Sequence, residues 1–203
     1  MNREKILVWD LPTRLFHWLL AGTFAGAWLT ADSERWIGVH ATLGYTFAGL
    51  IAFRLVWGMV GTRYARFSSF VRGPGAVLGY LKSLLTFRPQ HHVGHNPAGG
   101  WAVLALLGLG IVTAAAGFLT YNDYGGHWLE ELHEGAASAM LGLVVFHIAA
   151  VVVSSLLHKE NLVRAMITGL KRGAPSQAIR RPQWIAAGML LLAVAGFWSG
   201  VFQ

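Results

Sequence analysis

Five apolar stretches, each close to 20 residues or longer, restrict the fold of this chain more than any other feature. A helix rises about 1.5 Å per residue, so roughly 20 apolar residues cross the hydrocarbon core of a bilayer. Charged residues make up only 12% of the 203 residues, whereas a soluble domain usually carries about 25%. The pattern predicts membrane-spanning helices near residues 12–30, 36–60, 97–120, 132–157 and 182–202. We therefore expect an all-α integral membrane helical bundle.

Basic residues lie almost entirely on one side of this predicted bundle. Fourteen of the 16 fall in the N-terminal segment, the loop 61–97 and the segment after the fourth span: Arg3, Lys5, Arg14, Arg63, Arg66, Arg72, Lys82, Arg88, Lys159, Arg164, Lys171, Arg172, Arg180 and Arg181. The opposite loops hold one basic residue, Arg35, beside the acidic residues Asp32, Glu34, Asp123, Glu130, Glu131 and Glu134. Because cytoplasmic loops are enriched in Lys and Arg, we predict a cytoplasmic N-terminus and a C-terminus on the outer side of the membrane. The net charge of +7 is then a topology signal and does not indicate nucleic-acid binding.

Four of the nine histidines fall inside the predicted spans, where ionisable side chains are costly and usually functional. His133 and His147 are 14 residues apart, which is nearly four helical turns, so they face the same side at depths about 21 Å apart. The directions of the spans pair His40 with His133 near the outer face and His17 with His147 near the cytoplasmic face. Neutral imidazoles are good ligands of haem iron. With no cysteine in the chain, covalent haem attachment and iron–sulfur clusters are excluded, and the two pairs predict two non-covalent haems b.

Three further residues are candidates for cofactor binding. Arg54 shares a helix face with His40 and lies near the depth of His147, where a buried cation needs an anion such as a propionate of the inner haem. Arg14, with Arg54, favours the cytoplasmic half for a quinone site. Gly44 lies one turn beyond His40 and would let a bulky ring approach the backbone. The alternative interpretation of the membrane histidines is helix packing or proton transfer.

The remaining histidines carry weaker predictions. His91, His92 and His95 form a cluster in the loop 61–97 that could bind a metal ion, although histidine-rich loops are more often only solvated. His127 is predicted in the outer loop and could replace His133 as a ligand. His158 is predicted to be an interfacial residue at the end of the fourth span.

Short motifs surround the candidate ligands: residues 9–18 (WDLPTRLFHW), 39–45 (VHATLGY), 54–58 (RLVWG), 132–134 (LHE), 145–147 (VFH) and 161–166 (NLVRAM). In these segments the chain resembles the bacterial cytochrome b561-type family, which includes the b-type cytochrome subunits of membrane-bound nickel–iron hydrogenases. The resemblance covers about residues 5–173 and implies a dihaem four-helix membrane domain, which we assign to residues 1–173. It also implies a bacterial inner membrane location with a periplasmic C-terminus. The last apolar stretch adds a linker and a fifth C-terminal transmembrane helix over 174–203.

The resemblance also implies transmembrane electron transfer with the quinone pool, ubiquinone or menaquinone. The expected partner is a periplasmic c-type cytochrome or hydrogenase-like redox protein. An electron-carrier cytochrome subunit is favoured over a stand-alone enzyme. The alternatives are a quinone-coupled superoxide oxidase or other small-substrate oxidoreductase at the outer face, and a transporter or structural bundle without a cofactor. A homodimer is left open.

Overall fold

The computed structural model describes residues 4–86 and 90–201 of the chain. Arg3, Arg88 and the predicted end of the fifth span at Phe202 lie outside this part. The helices are α1 Leu11–Thr30, α2 Ile37–Val60, α3 Phe67–Phe70, α4 Pro74–Leu85, α5 Pro97–Tyr121, α6 His127–His158, α7 Leu162–Thr168 and α8 Trp184–Val201. The predicted all-α membrane bundle is confirmed as the dominant architecture.

Side-chain caps explain where several helices begin. The carboxylate of Asp10 accepts a hydrogen bond from the Thr13 amide at the start of α1, and the Asn96 side chain does the same for Gly99 in α5. Each cap is followed by a proline in the first turn, where its missing donor is not needed. α6 begins five residues before the predicted span, so His127 lies in its first turn and not in a loop.

Four helices are long and apolar enough to cross a membrane: Glu34–Val60, which includes a 3-10 turn before α2, Pro97–Tyr121, His127–His158 and Trp184–Val201. Within residues 4–86 and 90–201, α1 is not among these four helices. It forms over the predicted residues and packs along α2, but Arg14 and His17 lower its apolar character. Its crossing of the membrane therefore stays a prediction.

The long helices differ in which neighbours they pack against. α1 packs on α2, α2 packs on α5, α5 packs on α6, and α8 contacts both α1 and α2. The backbone of α6 stands off from α1 and α2, although its Met140 joins the buried core formed with Phe16, Phe47 and Leu107. The predicted outer pair, His40 in α2 and His133 in α6, lies between these helices.

A short sheet that the sequence analysis did not predict closes one end of the bundle. Strand β1 Glu4–Leu7 pairs antiparallel with β2 Leu170–Gly173, with Glu4 opposite Gly173 and Leu7 opposite Leu170. The Tyr64 hydroxyl donates to the Gln177 carbonyl at 2.8 Å. These contacts join the N-terminal segment, the loop after α2 and the segment after α7. The described parts of the three basic regions therefore meet at one end of the bundle.

Candidate functional site

The outer pair consists of two imidazole rings that face each other across the gap beside α6. The ring centres of His40 in α2 and His133 in α6 lie 6.0 Å apart, with their planes at 78°. Two imidazoles that bind one metal ion, each through a nitrogen at about 2 Å, have ring centres separated by roughly this distance. The two rings therefore have the spacing of axial ligands to a shared metal.

Backbone carbonyls hold both outer rings in place. His40 Nδ1 lies 2.9 Å from the Ala27 carbonyl oxygen in α1, and His133 Nδ1 lies 2.8 Å from the Thr113 carbonyl oxygen in α5. A carbonyl oxygen can only accept, so Nδ1 carries the proton in each ring and donates. Nε2 then keeps its lone pair, as a metal-binding histidine requires.

A glycine leaves room for the His133 ring. A Cβ on Gly117 would stand 2.7 Å from both Cε1 and Nδ1 of His133, well inside van der Waals contact. At Gly44, one turn beyond His40, no heavy atom lies within 4 Å of the equivalent position. The helix surface next to His40 therefore has space for a side chain or a ligand at this position.

The inner pair, His17 in α1 and His147 in α6, lies near the end closed by the sheet. Each of the two rings is partly buried. His17 Nδ1 is shielded from solvent and has no hydrogen-bond partner. The structure thus brings the outer pair together and holds it by backbone hydrogen bonds, whereas His17 Nδ1 is left unpaired and the inner pair stays a prediction.

Arg54 is a buried cation beside the inner pair. Its side chain is 3% exposed, and its guanidinium carbon stands 4.7 Å from the ring centre of Phe67. One of its terminal nitrogens is buried without a hydrogen-bond partner, and no carboxylate among the described residues lies within ion-pair distance of it. Leaving a buried charge unpaired is costly, so this site is suited to an anion.

Arg14 is used partly by the fold itself. Its guanidinium donates to the Ile167 carbonyl at the end of α7 at 2.5 Å, while its Nε is buried without a partner. The side chain therefore ties α1 to α7 and retains one unpaired donor.

The three loop histidines, which the sequence left as either a metal site or solvated side chains, lie apart from one another in the structure. Within residues 4–86 and 90–201, no group of three or more His, Cys, Asp or Glu side chains is placed to hold a metal ion. His91 Nδ1 instead lies 3.0 Å from His158 Nδ1, and the ring centre of His92 lies 5.7 Å from that of Tyr80. His95 packs elsewhere, against Trp9 and Phe70. His127 lies beside Glu130 and Glu131 and is 77% exposed.

Two residues near the inner pair were missed from the sequence. Asp10 is 1% exposed and accepts hydrogen bonds from the Thr13 amide, Trp57 Nε1 and the Thr62 hydroxyl. An acidic residue two positions before a proline at the start of a span is a recognisable capping signal. His95 carried no such signal, because only the folded loop brings it to the bundle.

Comparison with known proteins identifies the family. A family model described as Prokaryotic cytochrome b561 matches residues 8–169. The chain belongs to this family. A probable Ni/Fe-hydrogenase B-type cytochrome subunit of Rhizobium leguminosarum bv. viciae is 24% identical over 83% of this chain and 90% of its own length.

Two further relatives carry similar descriptions. The probable Ni/Fe-hydrogenase B-type cytochrome subunit of Cupriavidus necator is 25% identical over 81% of this chain and 86% of its own length. The probable Ni/Fe-hydrogenase 1 B-type cytochrome subunit of Escherichia coli K12 is 26% identical over 58% and 60%. No solved structure matches the chain significantly.

Membership in the cytochrome b561 family makes this chain a multi-pass membrane protein and a b-type cytochrome of electron transport. The family implies haem b, and the residues present fit such a group. Imidazoles face each other at a metal-sharing distance in the outer site, and buried donors without partners surround the inner one.

Proposed function

We propose that this cytochrome carries electrons across the membrane through two haems b, one held by His40 and His133 and the other by His17 and His147. The observation that carries the proposal is the outer pair. Two rings from different helices face each other at 6.0 Å, and each has its Nδ1 against a backbone carbonyl. A packing role would not require both rings to keep their second nitrogens free.

The residues of the chain have separate tasks in this proposal. The four histidines are the axial ligands, and Arg54 binds a carboxylate of the inner haem. Arg14, with Arg54, favours a quinone site in the cytoplasmic half. Gly44 leaves room for the outer haem. A bound haem would supply reversible one-electron chemistry at the iron. Met140 is midway between the two α6 ligands, and the core around it separates the two sites and excludes water.

The spacing of the ligands suits a relay through the bilayer. His133 and His147 are 14 residues apart on one continuous helix, which corresponds to about 21 Å along its axis. The hydrocarbon core is about 30 Å thick. One site would therefore lie near each face, so that an electron need not cross the membrane in a single step.

We further propose that the electrons pass between the quinone pool, ubiquinone or menaquinone, and a periplasmic c-type cytochrome or hydrogenase-like protein. The relatives named as Ni/Fe-hydrogenase cytochrome subunits support the second kind of partner. The proposed orientation in the bacterial inner membrane has the basic, sheet-closed end in the cytoplasm and the C-terminus in the periplasm. It rests on the placement of Lys and Arg.

A superoxide oxidase at the outer face is the second candidate, and the charge of that face does not favour it. Arg35 is the basic residue of the outer loops, and its guanidinium carbon lies 5.4 Å above the Trp36 ring. The acidic residues around it would repel an anion. Rapid haem reduction by superoxide in the purified cytochrome would favour this candidate over electron transfer from a protein partner.

Proteoliposomes test the proposal directly. With a reductant enclosed and an impermeant oxidant outside, wild-type cytochrome should pass electrons outward, because both sites are loaded. His40→Leu should stop the transfer, whereas the matched control His127→Leu, which removes an exposed histidine from the same end, should not. A colourless purified protein, or equal transfer by His40→Leu and wild type, would contradict the proposal and return the histidines to packing or proton transfer.

A further inference from the structure

His95 is held against the inner site by the loop that precedes α5. Its ring centre lies 4.4 Å from that of Phe70 and 4.7 Å from that of Trp9, the residue before the Asp10 cap of α1. The loop is fixed on both sides of His95. A Cβ on Gly94 would stand 2.7 Å from Tyr64 Cδ1, and Asn96 caps α5. The fold therefore determines where this imidazole stands.

His95 and Arg54 share Phe70 as a neighbour. The Arg54 guanidinium carbon lies 5.9 Å from the Phe70 ring centre, on which His95 also packs. His95 Nδ1 and a terminal nitrogen of Arg54 are both shielded from solvent and without a hydrogen-bond partner. Two unpaired buried donors in one neighbourhood indicate that an acceptor belongs there.

The electrostatic surroundings of His95 are strongly cationic. Burial, together with smaller contributions from Arg54, Lys171, His147 and His17, lowers the pKa of His95 to about 3. The imidazole is therefore neutral near pH 7 and can donate one hydrogen bond. His95 also packs on Trp9 at the start of α1, the helix that carries His17.

Asp10 is not the missing acceptor. It attracts Arg54 electrostatically, but its carboxylate oxygens already accept from the Thr13 amide, Trp57 Nε1 and the Thr62 hydroxyl. The site therefore still requires an anion that can reach both Arg54 and His95 from the side of the inner pair. A carboxylate carried by a flat ring between His17 and His147 has that chemistry and that position.

We infer that His95 and Arg54 together bind one propionate of the inner haem, and that the loop 90–96 closes the sheet-side edge of this site. The inference rests on the proposed function and adds a residue and a loop to it. His95 acts as a positioning residue: it hydrogen-bonds the carboxylate, while the iron ligands remain His17 and His147. A charge-assisted hydrogen bond of this kind is stronger than a neutral one.

The test measures how fast the purified full-length cytochrome loses haem to an excess of a haem-accepting apoprotein. His95→Leu should speed the loss of one haem on the order of tenfold, because a hydrogen bond to a charged group is removed. The other haem should leave at the wild-type rate, which also shows that the variant is folded.

His95→Gln, which keeps a hydrogen-bond donor, should restore part of the haem retention. His127→Leu, which removes an exposed histidine at the start of α6, is the matched control and should behave as wild type.

A modified cofactor separates propionate binding from simple packing. The cytochrome is produced in cells unable to make haem and is then loaded with either iron protoporphyrin IX or its dimethyl ester. With the ester, wild type should lose the inner group as fast as His95→Leu does, and the substitution should add nothing. Equal loss of normal haem by wild type and His95→Leu would overturn the inference, as would a His95→Leu effect that persists with the ester. In either case, two bound haems would leave the proposed function intact, whereas a wild-type chain without haem would contradict both.

Discussion

The outer and inner histidine pairs share one helix but differ in how the chain holds them. The outer rings are fixed by carbonyls of α1 and α5 and by the space at Gly117. The inner pair is surrounded by side chains, among them the buried Asp10 and Arg54, and several of their polar atoms have no partner. Backbone acceptors fix a ring whatever the charge state of its surroundings, whereas a polar cluster is complete only with its ligand. We therefore expect the inner site to be the more sensitive to charge and pH.

The largest expected effect comes from removing the carboxylate that anchors the inner cluster. Asp10→Leu takes an acceptor away from three donors and leaves Arg54 without its nearest negative charge, which should cost about 3–5 kcal/mol in the free energy of unfolding. Inner haem should be lost while outer haem remains, as measured by chemical unfolding in detergent and by haem spectra. Asp10→Asn, which keeps one acceptor, should lose less, and the exposed Asp32→Leu should lose nothing. Preferential loss of the outer haem would contradict the proposed difference between the two sites.

Steric pressure on the outer site gives the next largest effect. Gly117→Ala places a methyl group 2.7 Å from two atoms of the His133 ring, and such overpacking costs about 1–3 kcal/mol. The outer haem should be weakened or lost, and the inner one should be unchanged in a reduced-minus-oxidised spectrum.

Gly108→Ala in the same helix is the control for this change. No heavy atom lies within 4 Å of its Cβ position, so alanine should be neutral or stabilising by up to about 1 kcal/mol. Equal behaviour of the two alanine variants would mean that the His133 ring does not require its present position.

Charge at the outer end should affect encounter with a partner and little else. Glu130 and Glu131 are 55% and 69% exposed, and complementary charge mainly raises association rates. Glu130→Lys with Glu131→Lys should slow reduction by a basic c-type cytochrome several-fold at low salt, and high salt should remove the difference. The exposed Glu4→Lys, at the other end, should not change the rate. If reversal left the rate unchanged at low salt, the acidic face would not be the docking site.

The smallest expected effect is a pH dependence confined to the sheet-closed end. Burial lowers the pKa of His92, and the nearby His158, Lys171 and Arg72 lower it further. Its folded pKa is thus below the unfolded value of about 6.5. Its contribution to stability is full above pH 6.5 and is lost as the pH falls through the folded pKa. Thermal unfolding should show a small decline in stability from pH 7 to 5 that His92→Gln reduces. A decline of the same size in His92→Gln would assign it to another group.

The sequence predicted the parts of the structure that follow from periodicity. The 14-residue interval between His133 and His147, together with the span directions, predicted both pairs, and the structure brings His40 and His133 together. The predicted bounds of α1, α2 and α5 agree with the structure to within one residue. The early start of α6 at His127 was missed because its first turn is polar and carries Glu130 and Glu131.

Features that depend on contacts between distant segments could not be predicted. β1 and β2 are only four residues each and pair across more than 160 positions, so neither carries a strand pattern of its own. His95 looked like one of three neighbouring loop histidines until the folded loop separated it from His91 and His92. The backbone carbonyls of Ala27 and Thr113 hold the outer rings, and any residue type would supply them.

Haem quantitation of paired histidine variants tests the central claim most directly. Wild-type cytochrome should contain about two low-spin haems b per chain. The within-pair variant His40→Leu with His133→Leu should keep one haem, because only the outer site is removed. The cross-pair variant His40→Leu with His17→Leu should keep none. If the cross-pair variant kept as much haem as the within-pair variant, or if the wild type had no haem, the assignment of two haem sites to these pairs would be contradicted.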